Sequence, residues 1–450
     1  MKTKYLLIGI VALVFIYLAG AWWHGWYFEK RYNEQRIRIN AWLLESAPGI
    51  SIIESSYQRG FFNSSAQFVL EVDMPPIFDD ANKASFGGAG KPVRIVFEHQ
   101  VRTGPWLGRQ GVGLARVETR AHFDPASVSP ELIQSLQGQD LGTGQTKVGY
   151  LNSFGTEVYV TPVHMDAGQI QLQFSGMHAR VQTHQSGSLV DMSVRLPYVL
   201  WSDAKRHAYL QVDNLLYESL NGRANIFFWT SDQKLTLDGL RLGSEGMDID
   251  IAKLHLMVQE NSEGDFISPV MNFETKGVWS GRPFQLSFNS KMNRLFSPAI
   301  DAYAATLELW SKTSAFSEKG MALFAQLEEH LADIYKRSPS FSINVAFVYD
   351  GKTADYSAQI QVDSISDGDL KRMPLPMVLM SKINGQSNFQ ASASLLAEDM
   401  LGEVVYPQVL ALIEQGFLVK RGDLLVSDFS YQQGVTQVNG KTIGSTLAAF

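Results

Sequence analysis

At 450 residues the chain exceeds what one hydrophobic core usually spans, so two lobes are expected behind the N-terminal segment. Hydrophobic residues at 45% against charged residues at 18% exclude a largely disordered protein. A net charge of −7 with both signs scattered excludes the basic footprint of nucleic-acid binding, and the absence of cysteine excludes disulfides, thiolate zinc sites and cysteine nucleophiles.

The stretch from Tyr5 to Trp23 carries no charge, with Leu13 and Phe15 near its middle. As a helix it measures roughly 28 Å, close to the thickness of a bilayer's hydrocarbon core. Trp22, Trp23 and Trp26 follow at once, and such rings settle at the boundary between membrane and water. Residues 1–28 are therefore expected to form a single retained transmembrane anchor. The competing reading is a cleavable signal peptide, with Lys2 and Lys4 as its basic start and Ala19-Gly20-Ala21 as its cleavage site. Because Lys2 and Lys4 abut the span, while Lys30, Arg31, Arg36 and Arg38 are mixed with Glu29 and Glu34, the N-terminus is expected inside. The bulk would then face the periplasm of a Gram-negative cell.

Residues 29–46 are charged and amphipathic and stop before Ala47-Pro48-Gly49, which predicts a helical stalk. Alternation with a period of two follows in Phe68, Leu70 and Val72, then in Ile170, Leu172 and Phe174. It recurs in Met247, Ile249 and Ile251, in Ile343, Val345 and Phe347, and in Tyr356, Ala358, Ile360 and Val362. Asn221-Gly222, Asp238-Gly239, Asp350-Gly351 and Asn439-Gly440 read as turns of antiparallel hairpins. Between Ser297-Pro298 and Arg337 the spacing of Leu307, Trp310, Leu323, Leu327 and Ile334 predicts two helices hinged near Gly320. Another helix is expected within 398–416, with Pro407 early in it and Gly416 as its stop. The expected fold is mainly β (α+β): one transmembrane helix, then long, curved antiparallel sheets with a few covering helices. Lobes are placed at 47–200 and 201–450.

No constellation predicts catalysis, a metal or a cofactor. Glu328-Glu329-His330 has no second histidine at helical spacing, and His178 and His184 could meet only through a loop. Gly142-Thr143-Gly144-Gln145-Thr146-Lys147 lacks the ending of a phosphate cradle and reads as a loop. Gly243-Ser244-Glu245-Gly246 is one residue short of a nucleophile elbow and reads as a turn. In Asp363 to Gly368, Ile365 occupies a calcium-ligand position, so the match to a calcium loop fails.

Tyr57-Gln58-Arg59-Gly60-Phe61-Phe62-Asn63-Ser64-Ser65-Ala66 resembles the opening signature of the YdgA-like proteins of Gram-negative bacteria. Tyr431-Gln432-Gln433-Gly434 with Val438-Asn439-Gly440 is similar to that family's closing strand and turn. The resemblance covers essentially the whole chain. It implies an inner-membrane-anchored protein facing the periplasm, with no agreed activity and no catalytic residues to carry over. Read physically, the motif residues are structural, with Arg59 the exception that could contact a ligand: Gly60 permits a positive φ or a bulge, and Phe61 and Phe62 supply core mass beside it.

Two non-enzymatic roles follow. The first is an envelope binding module whose apolar strand positions receive a lipid or another apolar component. The second is an assembly protein that meets itself or an envelope partner through a strand edge or a helix face. An unrecognised hydrolase is the third reading, and no nucleic-acid partner is expected.

Overall fold

The computed structural model describes residues 22–30, 32–34, 36–37, 39–41, 43–44, 47, 49–73, 92–104, 107, 111–150, 153–183, 189–223, 232–244, 247–314 and 317–445. Tyr5, Leu13 and Phe15 of the expected anchor lie outside these residues, as do His184 and Glu245-Gly246. Among the described residues no helix is long and apolar enough to cross a membrane. They fall into two units, one within 1–222 and 240–246, the other within 223–239 and 247–450.

In the first unit, alternation of apolar and polar residues produces an antiparallel meander. Its strands are β1 (Ile50–Gln58), β2 (Asn63–Val72), β3 (Val93–Thr103) and β4 (Ala115–Phe123). After α1 (Pro130–Ser135) come β5 (Gly142–Val148), β6 (Phe154–Val160), β7 (Val163–Ala167), β8 (Ile170–Phe174), β9 (Met177–Thr183), β10 (Leu189–Asp203) and β11 (Ala208–Arg223). Strands β1 to β6 pair in chain order, then β6 pairs with β9, and β9 with β10. β7 and β8 continue the β6–β9 hairpin in the same register beyond Pro162 and Gly176. Pro162 has no N–H to give the ladder, and Gly176 holds a φ of 92° where a Cβ would stand 2.8 Å from the Val160 carbonyl oxygen. Helix α1 starts at Pro130, is capped by the Ser129 hydroxyl, and buries Leu132 against Val93, Met165 and Ile170.

The end of the expected anchor, from residue 22, and the expected stalk, from residue 29, are helical to residue 44 wherever they are described, and this helix packs on the sheet. Phe28 is buried against Val101, Ala115 and Val117, a contact that stabilises the docked helix by about 2 to 3 kcal/mol. Asn40 Oδ1 accepts the Ile52 N–H at 2.9 Å, which tethers the other end to β1.

The second unit is a longer meander. Its strands are β12 (Asp232–Leu237), β13 (Gly239–Ser244, most of which belongs to the first unit), β14 (Met247–Glu263), β15 (Phe266–Trp279), β16 (Arg282–Asn293) and β17 (Leu295–Phe296). After α2 (Ser297–Ser311) and α3 (Glu318–Tyr335) come β18 (Ser340–Tyr349) and β19 (Lys352–Val362). After α4 (Asp367–Arg372) and α5 (Leu375–Lys382) comes β20 (Ile383–Ser392). After α6 (Glu398–Glu414) come β21 (Val419–Arg421), β22 (Leu424–Gln432), β23 (Val435–Val438) and β24 (Lys441–Ser445). The sheet runs β12-β14-β15-β16-β18-β19-β20-β22-β23-β24, antiparallel throughout. Asp350-Gly351 and Asn439-Gly440 turn with positive φ at both residues, the backbone twist that two-residue hairpins need.

Five expectations are corrected. The break between α2 and α3 falls at residues 312–317. Gly320 instead sits in the first turn of α3, where its N–H donates to the Ser317 cap at 3.0 Å. Pro407 lies inside α6, which begins nine residues earlier at Glu398; Gly416, with φ 79°, does follow the helix end. Asn221-Gly222 continues strand β11 rather than turning. Gly142 to Lys147 is strand β5 rather than a loop, because the space opposite Gly142 is filled by the Tyr159 carbonyl, 2.8 Å from where a Cβ would be. Gly243 and Ser244 end strand β13, where the Tyr209 ring fills the space a Gly243 side chain would need.

Candidate functional site

Because facing residues in register share one side of a sheet, the pairing of the second unit lines up whole rows of side chains. One row reads Leu235, Leu256, Phe273, Phe288, Val345, Tyr356 and Phe389 across seven successive strands. At the usual strand spacing it is roughly 29 Å long. None of the seven is buried: six are half-buried, and Tyr356 is 38% exposed. On the same face Ile360 and Phe429 are 41% and 38% exposed. Solvent therefore reaches an apolar floor that folding left only partly covered.

Helices close this face at the strand ends. On one side Val378 of α5 is buried against Val362 and Ile365. On the other, Val409 of α6 is buried against Leu425, with Phe389 beside it. Along β19 the distance from Ala354 to Val362 is about 26 Å, so the open floor lies between two helical rims.

The opposite face is polar to the same depth. Asn272, Asn289, Asn344, Ser357, Asn388 and Asp428 form a row across six strands. Asn289 donates to Asn272 Oδ1 at 2.5 Å, and Asn388 donates to Asp428. Asn344, Ser357, Asn388 and Asp428 line a cleft of about 600 Å³. The floor and this row are separated only by the thickness of the sheet.

Several of the family-type motif residues serve the backbone. Gly60 does not adopt a positive φ; it is required because a Cβ there would stand 1.9 Å from the Asn63 carbonyl oxygen in the turn from β1 to β2. Its N–H donates to Ser64 Oγ at 3.2 Å. Phe61, expected in the core, is exposed and meets Phe62 edge to face at 4.7 Å. Arg59 pairs with Glu29 at 3.4 Å and stands 5.8 Å over the ring of Trp22. Trp22, Trp23 and Trp26 are all exposed. Near the other terminus, the Tyr431 hydroxyl donates to the Met380 carbonyl at 2.7 Å. Gln433 and Gly434 both take a positive φ in the β22–β23 turn. Asn439 donates to the Gly416 and Phe417 carbonyls at 2.9 and 3.2 Å and accepts the Asp428 N–H at 2.9 Å, which ties the last hairpin to the end of α6; Gly440 completes its turn.

Under the N-terminal helix, Tyr32, Tyr57 and His99 meet on the sheet. Burial lowers the His99 pKa to about 4, so its imidazole is neutral at pH 7; Nδ1 lies 2.8 Å from Thr119 Oγ1, a hydroxyl rather than a carboxylate. Burial likewise pushes Tyr32 up to about 12 against the opposing pull of Arg36, and raises Tyr57. His178 stacks on Tyr159 at 4.4 Å. His330 belongs to α3, and among the described residues no group of three or more His, Asp or Glu side chains is arranged to hold a metal ion. Sequence reasoning missed the apolar row as a unit, since each strand showed only its own alternation.

These features describe a protein of long antiparallel meanders with one half-open apolar sheet face. The family model for a bacterial protein of unknown function, DUF945, matches residues 1–444, and the chain belongs to that family. It is similar to Protein YdgA of Escherichia coli (strain K12), 22% identical over 253 residues, which is 53% of this chain and 48% of that protein. The chain thus spans about half the length of the curated relative it matches. The family match and this likeness bear out the YdgA-like resemblance of the two terminal motifs. No solved structure matches the chain.

Proposed function

We propose that this protein is a non-enzymatic binding module anchored in the inner membrane by the uncharged stretch 5–21 ahead of the docked helix, with its bulk in the periplasm, and that it receives the acyl part of a lipid on the apolar floor of the second unit. The observation that carries the reading is the seven-residue apolar row from Leu235 to Phe389, none of it buried. An acyl chain occupies half of a bilayer's hydrocarbon core, about 15 Å, and fits twice along a row of roughly 29 Å. No charged side chain interrupts that row, so a chain lying on it would lose no paired charge to desolvation.

The test is mass spectrometry of lipids retained by the detergent-extracted protein, compared with a Tyr356→Glu/Phe429→Glu variant. Retained lipid that disappears in the variant is expected. No lipid above the detergent background, or equal retention by both proteins, would overturn the proposal.

The assembly reading draws on a separate observation. Leu309 of α2 and Met321 and Phe324 of α3 are exposed on a helix pair that packs on itself and on β17. Crosslinking in native membranes checks it: a product bridging this helix pair to a second chain is expected, and recovery of the monomer alone would remove the reading.

A further inference from the structure

The polar face of the first unit holds a second surface, independent of the apolar floor. Arg102, Arg116 and Lys147 stand directly opposite one another on β3, β4 and β5. Like charges facing across adjacent strands repel one another unless they are neutralised. Arg59 approaches the same place from the β1–β2 turn. Arg59, Arg102 and Arg116, together with Asn63, Ser65 and Gln100, line a cleft of about 630 Å³.

Two carboxylates pair with arginines of the cleft. Glu118, on the cleft wall, pairs with Arg116, and Glu29 of the N-terminal helix pairs with Arg59. No carboxylate among the described residues pairs with Arg102. The three arginines that line the cleft outnumber its one lining carboxylate, Glu118, and the cleft is furnished with amide and hydroxyl groups that can donate to an oxyanion.

We propose that this cleft binds a phosphate group, with Arg102 and Arg116 as its principal ligands and Arg59 closing the site. Guanidinium pairs present parallel N–H donors that match phosphate oxygens, and an anion held between Arg102 and Arg116 offsets their repulsion across the strands. A phospholipid headgroup and free phosphate share this chemistry. The headgroup is favoured by position: Trp22, on which Arg59 stands, belongs to a group of exposed tryptophans at the end of the uncharged stretch Tyr5 to Trp23.

The test uses the full chain in nonionic maltoside micelles, with thermal stability and tryptophan fluorescence as readouts. One arm titrates inorganic phosphate against chloride at matched ionic strength; the other dopes the micelles with phosphatidylglycerol or with phosphatidylcholine. The test variant is Arg102→Gln/Arg116→Gln. The control is Arg282→Gln/Arg421→Gln, which removes two cations paired with Asp350 and Asp428 in the other unit.

Saturable stabilisation by an added phosphate carrier is expected in the wild type and the control, weakened in the test variant on the order of tenfold for each arginine removed. A response to both additives assigns the site to phosphate as such, and a response to phosphatidylglycerol alone assigns it to the headgroup. No response beyond chloride, or an undiminished response in the test variant, overturns the proposal. The Tyr356→Glu/Phe429→Glu protein keeps this response if the two surfaces are independent, so failure here is distinguishable from failure of the acyl-binding reading.

Discussion

His99 gives the sharpest handle on the first unit. Its ring packs against Phe68 at 5.3 Å and meets the edge of Tyr32 at 5.9 Å, and its Nε2 is buried with no hydrogen-bond partner. Protonation would therefore place a charge, with an Nε2–H that has no partner, in a buried site, and this desolvation is the physical cause of a pKa lowered from 6.5 to about 4. The unfolded chain takes up this proton below its ordinary pKa, while the folded chain refuses it until about pH 4. The contribution of His99 to stability is thus fully present above pH 6.5 and lost as the pH falls through that window. At about pH 4.5 the loss amounts to roughly 2 to 3 kcal/mol.

The substitution His99→Gln keeps a partner for Thr119 and removes the titration. Because two units need not unfold together, the assay is hydrogen exchange of the β2, β3 and β4 amides, read at about pH 7.5 and about pH 4.5 in both proteins. The wild type should lose roughly 2 to 3 kcal/mol more local stability than His99→Gln between the two conditions. Equal losses would refute the reasoning, whatever the variant does at neutral pH.

Three further outcomes follow from single contacts. Gly60→Ala puts a methyl group within 1.9 Å of the Asn63 carbonyl oxygen, forces the β1–β2 turn open, and should lower stability by about 2 kcal/mol or more in thermal denaturation. Asn439→Ala removes two donated hydrogen bonds and one accepted bond and leaves alanine at a φ of 51°; a loss of about 2 to 3 kcal/mol is expected in urea unfolding of the second unit. Asn439→Asp, which keeps the acceptor but turns a carboxylate toward the Gly416 and Phe417 carbonyls, should be no better. Phe28→Ala opens a cavity against Val101 and Ala115, costs about 3 kcal/mol of docking, and should make Lys30 and Arg31 cleavable by trypsin at concentrations that spare the wild type; unchanged cleavage would show that the helix does not depend on this contact.

The sequence by itself determined several of the strands and two of their turns. Period-two alternation in Phe68 to Val72 or Ile343 to Phe347 follows from a pleat that sends neighbours to opposite faces, and Asp350-Gly351 and Asn439-Gly440 follow from the positive φ their turns require. The two terminal motifs sufficed for the family, because they are contiguous runs. Helix limits were less legible: a glycine at position 320 fits a first helical turn as well as a hinge, and Pro407 is carried inside α6. Only tertiary structure decided which residues share a row. Register joins Leu235 to Phe389, and Arg102 to Arg116 and Lys147, although the members of each row lie far apart in the chain. Local pattern fixes a side chain's face, but its neighbours across the sheet depend on loop lengths and pairings that no short window contains.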